Sequence, residues 1–325
     1  MLKILYAAAN NVNAKIQLSR FLQAMDGKPF IIKVAAYKKS SPKNVSIDWT
    51  LDCLLNMFKP EHISVDNHNF VTYYEQVKYY NPDLIISDME YFTSYIANVL
   101  STTIWQCSSS LINFALPRNY KYDLGVFSKH AHTFNKNPLH VQRLIHILDN
   151  SNSNLLYSHF GDHESPPPLL EGFEWIKPYH QVGKASVPCQ HNIVAGLNGN
   201  NKKILDVLKK FPDSVVFSEF LGEKHTNLLL KDIENEEEYF CNLRNSSVFV
   251  CEGQTSFLAD AFYNDKHSAV FVNLKDAECI INSTISEKLG LSSAVYQIED
   301  LKFSAKQPII KDNGHQFLHE RIEAL

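Results

Sequence analysis

"VFVCEGQTSFLADAFYNDKHSAVFVN", residues 248–273, is the stretch whose reading decides the fold. A short apolar run, Val248 to Cys251, stops at Glu252-Gly253; Gln254, Thr255 and Ser256 follow, then apolar residues at helical spacing, then a second apolar run from Ala269 to Val272. Apolar run, polar turn, helix, apolar run is the pattern of a parallel sheet covered on both faces. The turn opens a helix, whose first N–H groups lack partners within the helix and carry partial positive charge. Phosphate oxygens suit that place; Gly253 lets backbone approach, and Thr255 and Ser256 supply hydroxyls. The plain alternative is an N-cap turn that binds nothing.

Working outward, the same alternation repeats. Ile4 to Ala8, Phe30 to Ala36, Leu84 to Ile86 and Ile104-Trp105 read as buried strands; Ala14 to Met25, Leu51 to Phe58 and Phe70 to Tyr80 read as helices. The stretch 161–190 is rich in proline, including Pro166-Pro167-Pro168, and reads as a linker or domain edge. Beyond it, strands at 191–196 and 215–217 and helices at 202–211, 235–244, 277–289 and 316–325 restart the pattern. The expected architecture is α/β: two Rossmann-like domains with parallel sheets facing a cleft. Their expected bounds are 1–180 and 181–312, with a C-terminal helix over 313–325 packing back on the first domain.

A chain of 325 residues suits two domains of about 150 residues each. The net charge of −4 names no partner, although residues 1–165 carry 15 basic against 13 acidic side chains and the remainder 16 against 22. Six cysteines without a C-x-x-C spacing fit buried thiols in a reducing, cytoplasmic setting. The N-terminal MLKILYAAANN reads as a first strand and not a signal peptide, and no apolar stretch approaches the roughly 20 residues that span a bilayer.

A second polar turn, Leu197-Asn198-Gly199-Asn200-Asn201, also follows an apolar run and opens a helix. In a parallel sheet both turns lie at the carboxyl ends of strands, the edge where open α/β sheets bind ligands. Residues 193–294, with "CEGQTSFLADAFYNDKHSAVFVNLKDAECIINSTISEKLG" at their centre, resemble the C-terminal domain of GT-B glycosyltransferases, in particular the peptidoglycan N-acetylglucosaminyltransferase group. Gly253, Thr255, Ser256, Asp260, Glu278, Asn282 and Gly290 carry the resemblance. It implies a nucleotide-diphosphate sugar, UDP-linked, as donor, with no obligatory cofactor. By position, Asn198, Gly199, Asn200, Gly253, Gln254, Thr255 and Ser256 would approach the diphosphate, Asp260 the ribose, and Glu278 and Asn282 the sugar, with Glu252 a further residue expected at the donor.

The chain departs from that pattern at its first loop. A glycine-rich loop with a histidine base is usual there, whereas this loop reads Ala9-Asn10-Asn11-Val12-Asn13, and asparagine takes no proton at neutral pH. Asp88, just past the Leu84–Ile86 strand, is the expected general base, with Glu90 next in order. Its ordinary alternative is a helix cap. His130 and His132 lack a third ligand at useful spacing, so no metal site is expected.

For the acceptor, the stretch 101–147 carries Arg118, Lys121, Lys129, Lys136 and Arg143 against Asp123 alone, interleaved with aromatic rings. Basic residues attract phosphate and rings stack on bases. Arg118, Lys121, Lys129, His130 and His132 are the expected acceptor contacts. DNA bearing hydroxymethylated cytosine, as phages modify it, is the expected acceptor, with an envelope glycan or lipid-linked acceptor as the second choice. A UDP-sugar 2-epimerase, or a nucleotide-sugar-binding protein without catalysis, shares the same pattern.

Overall fold

The computed structural model describes residues 1–54, 67–134, 138–178, 193–198, 201–218 and 228–295. In chain order the first elements are β1 (Leu2–Ala7), α1 (Val12–Met25), β2 (Phe30–Ala36), β3 (Trp49–Thr50), α2 (Asn67–Tyr80), β4 (Leu84–Ser87), α3 (Tyr91–Leu100), β5 (Ile104–Ser108), α4 (Ile112–Ala115), α5 (Arg118–Asp123), α6 (Val126–Phe134), α7 (Pro138–Asp149), β6 (Ser153–Tyr157) and β7 (Phe173–Ile176). There follow β8 (Ile193–Leu197), α8 (Lys202–Leu208), β9 (Ser214–Ser218), β10 (Leu229–Asp232), α9 (Glu236–Asn245), β11 (Val248–Cys251), α10 (Thr255–Tyr263), β12 (Ser268–Phe271), α11 (Ala277–Lys288) and β13 (Ser292–Val295).

The chain divides into two compact units. The first takes Met1–Leu111, Asn137–Leu156 and Glu171–Glu174; the second takes Ile112–Lys136, Tyr157–Leu170 and Trp175–Leu325. One sheet runs β3-β2-β1-β4-β5-β6-β7, the other β10-β9-β8-β11-β12-β13. Pairings from β3 through to β6 and throughout the second sheet are parallel. The central strands β4, β5, β8 and β9 are buried at every residue, as strands covered by helices on both faces must be.

Local chemistry explains the helix ends. Asn11 caps α1 by accepting from Ala14 N at 2.7 Å, and Ile16, Leu18, Phe21 and Met25 bury the inner stripe of that helix. Ser101 closes α3 in the left-handed region at φ 54°. In the second unit, Asn235 caps α9, and Glu236, Glu237 and Glu238 fill its first turn, where the dipole favours acids.

The Leu51–Phe58 helix expected from sequence is described only as far as Leu54, and both Leu51 and Leu54 are fully enclosed in the first core. The expected helix over 313–325 lies outside the described residues, as does the part of the 161–190 stretch from 179 onward. Within the rest of that stretch the chain forms β7 and the end of a single helical turn at His159–Asp162.

Candidate functional site

Strand order reverses between β8 and β11: β8, β9 and β10 run to one side, β11, β12 and β13 to the other. Such a reversal opens a crevice at the carboxyl ends of the two central strands. The two turns singled out in the sequence flank it, since β8 and β11 pair in parallel with Val250 opposite Ala195. Gly199 and Asn200 lie outside the described residues.

Hydrogen bonds join the two turns. Glu252 Oε1 accepts from Asn201 Nδ2 at 2.8 Å, and Oε2 from Asn198 N at 3.3 Å. Asn201 also caps α8 through Ile204 N. The Glu252 carbonyl accepts from Asn273 N in the turn after β12. Asn201 closes the turn read in the sequence but carries no expected role there, and Asn273 is not marked in the sequence at all. The cap position ahead of 202–211 marks Asn201, whereas nothing local marks Asn273.

Gly253 is required by conformation and by space. Its φ is +95°, and a Cβ there would lie 2.5 Å from Ser283 Oγ and 2.9 Å from the Cys279 carbonyl. Thus α11 rests directly on the turn. A relay stitches it further: Asn282 Nδ2 donates to the Gly253 carbonyl and to Thr255 Oγ1 at 2.8 Å, and Thr255 Oγ1 donates to Glu278 Oε1 at 3.0 Å. Gly196 on β8 plays a matching part, since a Cβ would meet the Phe257 ring at 2.8 Å.

Gln254 is the N-cap residue of α10, yet its side chain makes no capping bond. Its Oε1, like Asn282 Oδ1 and Asn198 Oδ1, is buried without a partner among the described residues. The nine-residue α10 therefore presents an N-terminus that its own cap residue leaves open. Thr255 and Ser256 are buried beside it, and Asp260, placed in sequence near a ribose, is wholly enclosed within the unit. The thiols here are held protonated: burial, with the nearby carboxylates, pushes Cys251 up to about 12 and Cys279 well above its ordinary value.

The first unit has its own reversal, between β1 and β4. Asp88 sits there, 3% exposed, with its N–H on the Ala7 carbonyl. The next residue, Met89, adopts φ 55°, uncommon for a non-glycine residue, and Ser87 Oγ closes the turn by accepting from Glu90 N at 3.0 Å. The capping alternative for Asp88 is filled by its neighbour: Glu90 accepts from Phe92 N and Thr93 N and also holds Tyr37 OH at 2.8 Å. Burial and that carboxylate raise the Tyr37 phenol. Glu90 is thus engaged on three sides.

The basic stretch belongs to the second unit over Ile112–Lys136. Arg118 is exposed and lies against Tyr122, its Nη2 donating to the phenol at 2.9 Å. Lys129 and His132 are exposed; His130 sits at a kink in α6, its charge disfavoured first by burial and then by His132 and Lys129. Lys121 turns inward: it is 6% exposed, donates to the Asn113 carbonyl, and burial lowers its ammonium to about 8. These helices pack on α11, where Lys288 lies over the Tyr120 ring and Thr133 Oγ1 donates to the Leu274 carbonyl.

Among the described residues no group of three or more His, Cys, Asp or Glu side chains could hold a metal ion. Among them, too, no helix is long and apolar enough to cross a membrane.

Two parallel α/β sheets built this way define a GT-B-like fold. Among solved structures the chain is similar to Spinosyn Forosaminyltransferase SpnP, at 14% identity over 91% of this chain and 86% of that one, TM-score 0.58. It is also similar to the Streptomyces sp. SF2575 glycosyltransferase SsfS6 complexed with thymidine diphosphate, at 13% identity over 90% and 88%, TM-score 0.59. A UDP-GlcNAc 2-epimerase from Methanocaldococcus jannaschii matches at 8% identity over 100% and 99%, TM-score 0.53. No protein-family model and no curated protein matches the chain.

Proposed function

We propose that the protein transfers a sugar from a UDP-sugar to a hydroxyl acceptor. The observation that carries this reading is the pair of turns at the β8/β11 reversal, one of which leads into an α10 N-terminus without a side-chain cap. The diphosphate takes that N-terminus, where N–H groups and the helix dipole favour an anion. Gln254 Oε1 and Asn282 Oδ1 are acceptors suited to hydroxyl groups of the donor.

Asp88 is assigned the general base. As the acceptor oxygen bonds the anomeric carbon, the bond from that carbon to the diphosphate breaks, UDP departs, and the acceptor's proton passes to the Asp88 carboxylate. The acceptor carried forward is hydroxymethylated cytosine in DNA. The exposed Arg118, Lys129 and His132 support it, while His130, whose charge is disfavoured, adds no cation, and Lys121, held on Asn113, contributes nothing to such a surface.

The test incubates the full chain with a panel of UDP-sugars, with hydroxymethylated DNA or an envelope fraction present. Release of UDP with a mass gain of one sugar on the DNA is the expected result. A mass gain confined to the envelope fraction replaces the acceptor. Isomerisation of the free donor makes the protein an epimerase, and donor binding without turnover makes it a binding protein.

A further inference from the structure

We infer that Glu252 is a positioning residue: its carboxylate fixes the register of the β8–α8 and β11–α10 turns across the strand-order reversal and thereby presents the α10 N-terminus to a nucleoside diphosphate. The inference rests on the proposed donor reading for its ligand, but its structural part stands separately.

The side chain is 6% exposed and follows directly on β11. One oxygen takes the Asn198 N–H, the first backbone donor after β8; the other takes the amide of Asn201, the cap of α8. The Glu252 carbonyl takes Asn273 N, ahead of α11. One residue thus joins the turns that begin α8, α10 and α11, and the next residue in the chain is Gly253, whose carbonyl receives Asn282. A carboxylate bonded to two N–H donors is held more firmly than a neutral acceptor would be, because charge-assisted bonds are about twice as strong. The geometry also explains how an acid is tolerated beside an anion site: its charge is directed at the β8 side, onto donors of the protein itself.

An exchange of partners tests this. In Glu252→Gln the new amide nitrogen faces an N–H or NH₂ donor and one bond is lost. In Asn201→Asp two carboxylates face each other. In the double variant, the amide introduced at position 252 can donate to the carboxylate introduced at position 201. That carboxylate still caps α8, and both bonds return. Titration with UDP is expected to show dissociation constants raised about tenfold in each single variant and within about threefold of the parent in the double. In turnover assays with a UDP-sugar the Glu252→Gln loss is expected in KM, with kcat within about twofold of the parent. A double variant no better than Glu252→Gln, or single variants that bind UDP like the parent, would overturn the inference.

If the parent chain binds no UDP, it is the donor reading that fails. The staple is then judged from urea midpoints of the same four chains. Recovery in the double variant upholds it, and additive losses sink it.

Discussion

At Gly253 two constraints coincide, a left-handed backbone and contact with α11, so relief of one leaves the other. Gly253→Ala is expected to cost roughly 2 kcal/mol or more, since strain at positive φ adds to displacement of Ser283 and the Cys279 carbonyl. Urea unfolding measures it; a loss under about 0.5 kcal/mol, the range of ordinary surface changes, would show that the turn relaxes. Asp88 poses a different question. Asp88→Asn keeps size and shape and removes the carboxylate that would take the proton. Transfer is expected to fall by about 100-fold or more, with UDP affinity unchanged. Undiminished turnover would remove Asp88 from the chemistry.

At the scale of elements, the short turn that carries His159 is informative. His159 is buried between Phe160 and Phe262, with neither ring nitrogen partnered among the described residues. Burial, assisted by the charge of His163, lowers it to about 3. In the unfolded chain it titrates near its ordinary value of about 6.5. Between those values the unfolded chain holds the extra proton, so the contribution of His159 is complete above about pH 6.5. It is lost on acidification at about 1.4 kcal/mol per pH unit. His159→Phe is expected to flatten the acid limb of a stability–pH curve; a limb of unchanged slope would show that the ring is hydrated or partnered in solution.

The same scale shows what was legible in the sequence. Phe30–Ala36 and Val248–Cys251 are strands with the bounds their apolar runs suggested: Val248–Cys251 is buried over its last three residues and shows no polar alternation, and Phe30–Ala36 is buried only from Val34 on but carries Lys33 as its one polar residue. The unread strands include β3, β7, β10 and β13, which all stand at sheet edges. There Leu229–Asp232 ends in Lys-Asp and Ser292–Val295 opens with two serines, so little apolar signal remains. At the site, Glu252, Gly253 and Thr255 could be picked out because a turn chemistry was visible. Their wiring to Asn201, Asn273 and Ser283 spans up to 51 residues and could not be read locally.

For the molecule as a whole, donor binding is expected to register in one unit. Saturating UDP should slow amide exchange at 252–257 and raise the melting temperature, by linkage worth about 2.7 kcal/mol at a hundredfold excess over the dissociation constant. Protection confined instead to the turns after β1 and β4 would relocate the nucleotide to the first unit.

The interleaving of the two units has a consequence for biosynthesis. Ile112–Lys136 belongs with residues that emerge from the ribosome much later, because α4 and α6 pack on α11, at Ala277–Lys288. A nascent chain must therefore carry α4 to α6 without their partner helix while strands of the first sheet are still being made on either side of them in the sequence. A gene fragment ending near residue 178 would leave those helices stranded, apolar faces unmatched, and is expected to be a client of chaperones or an aggregate.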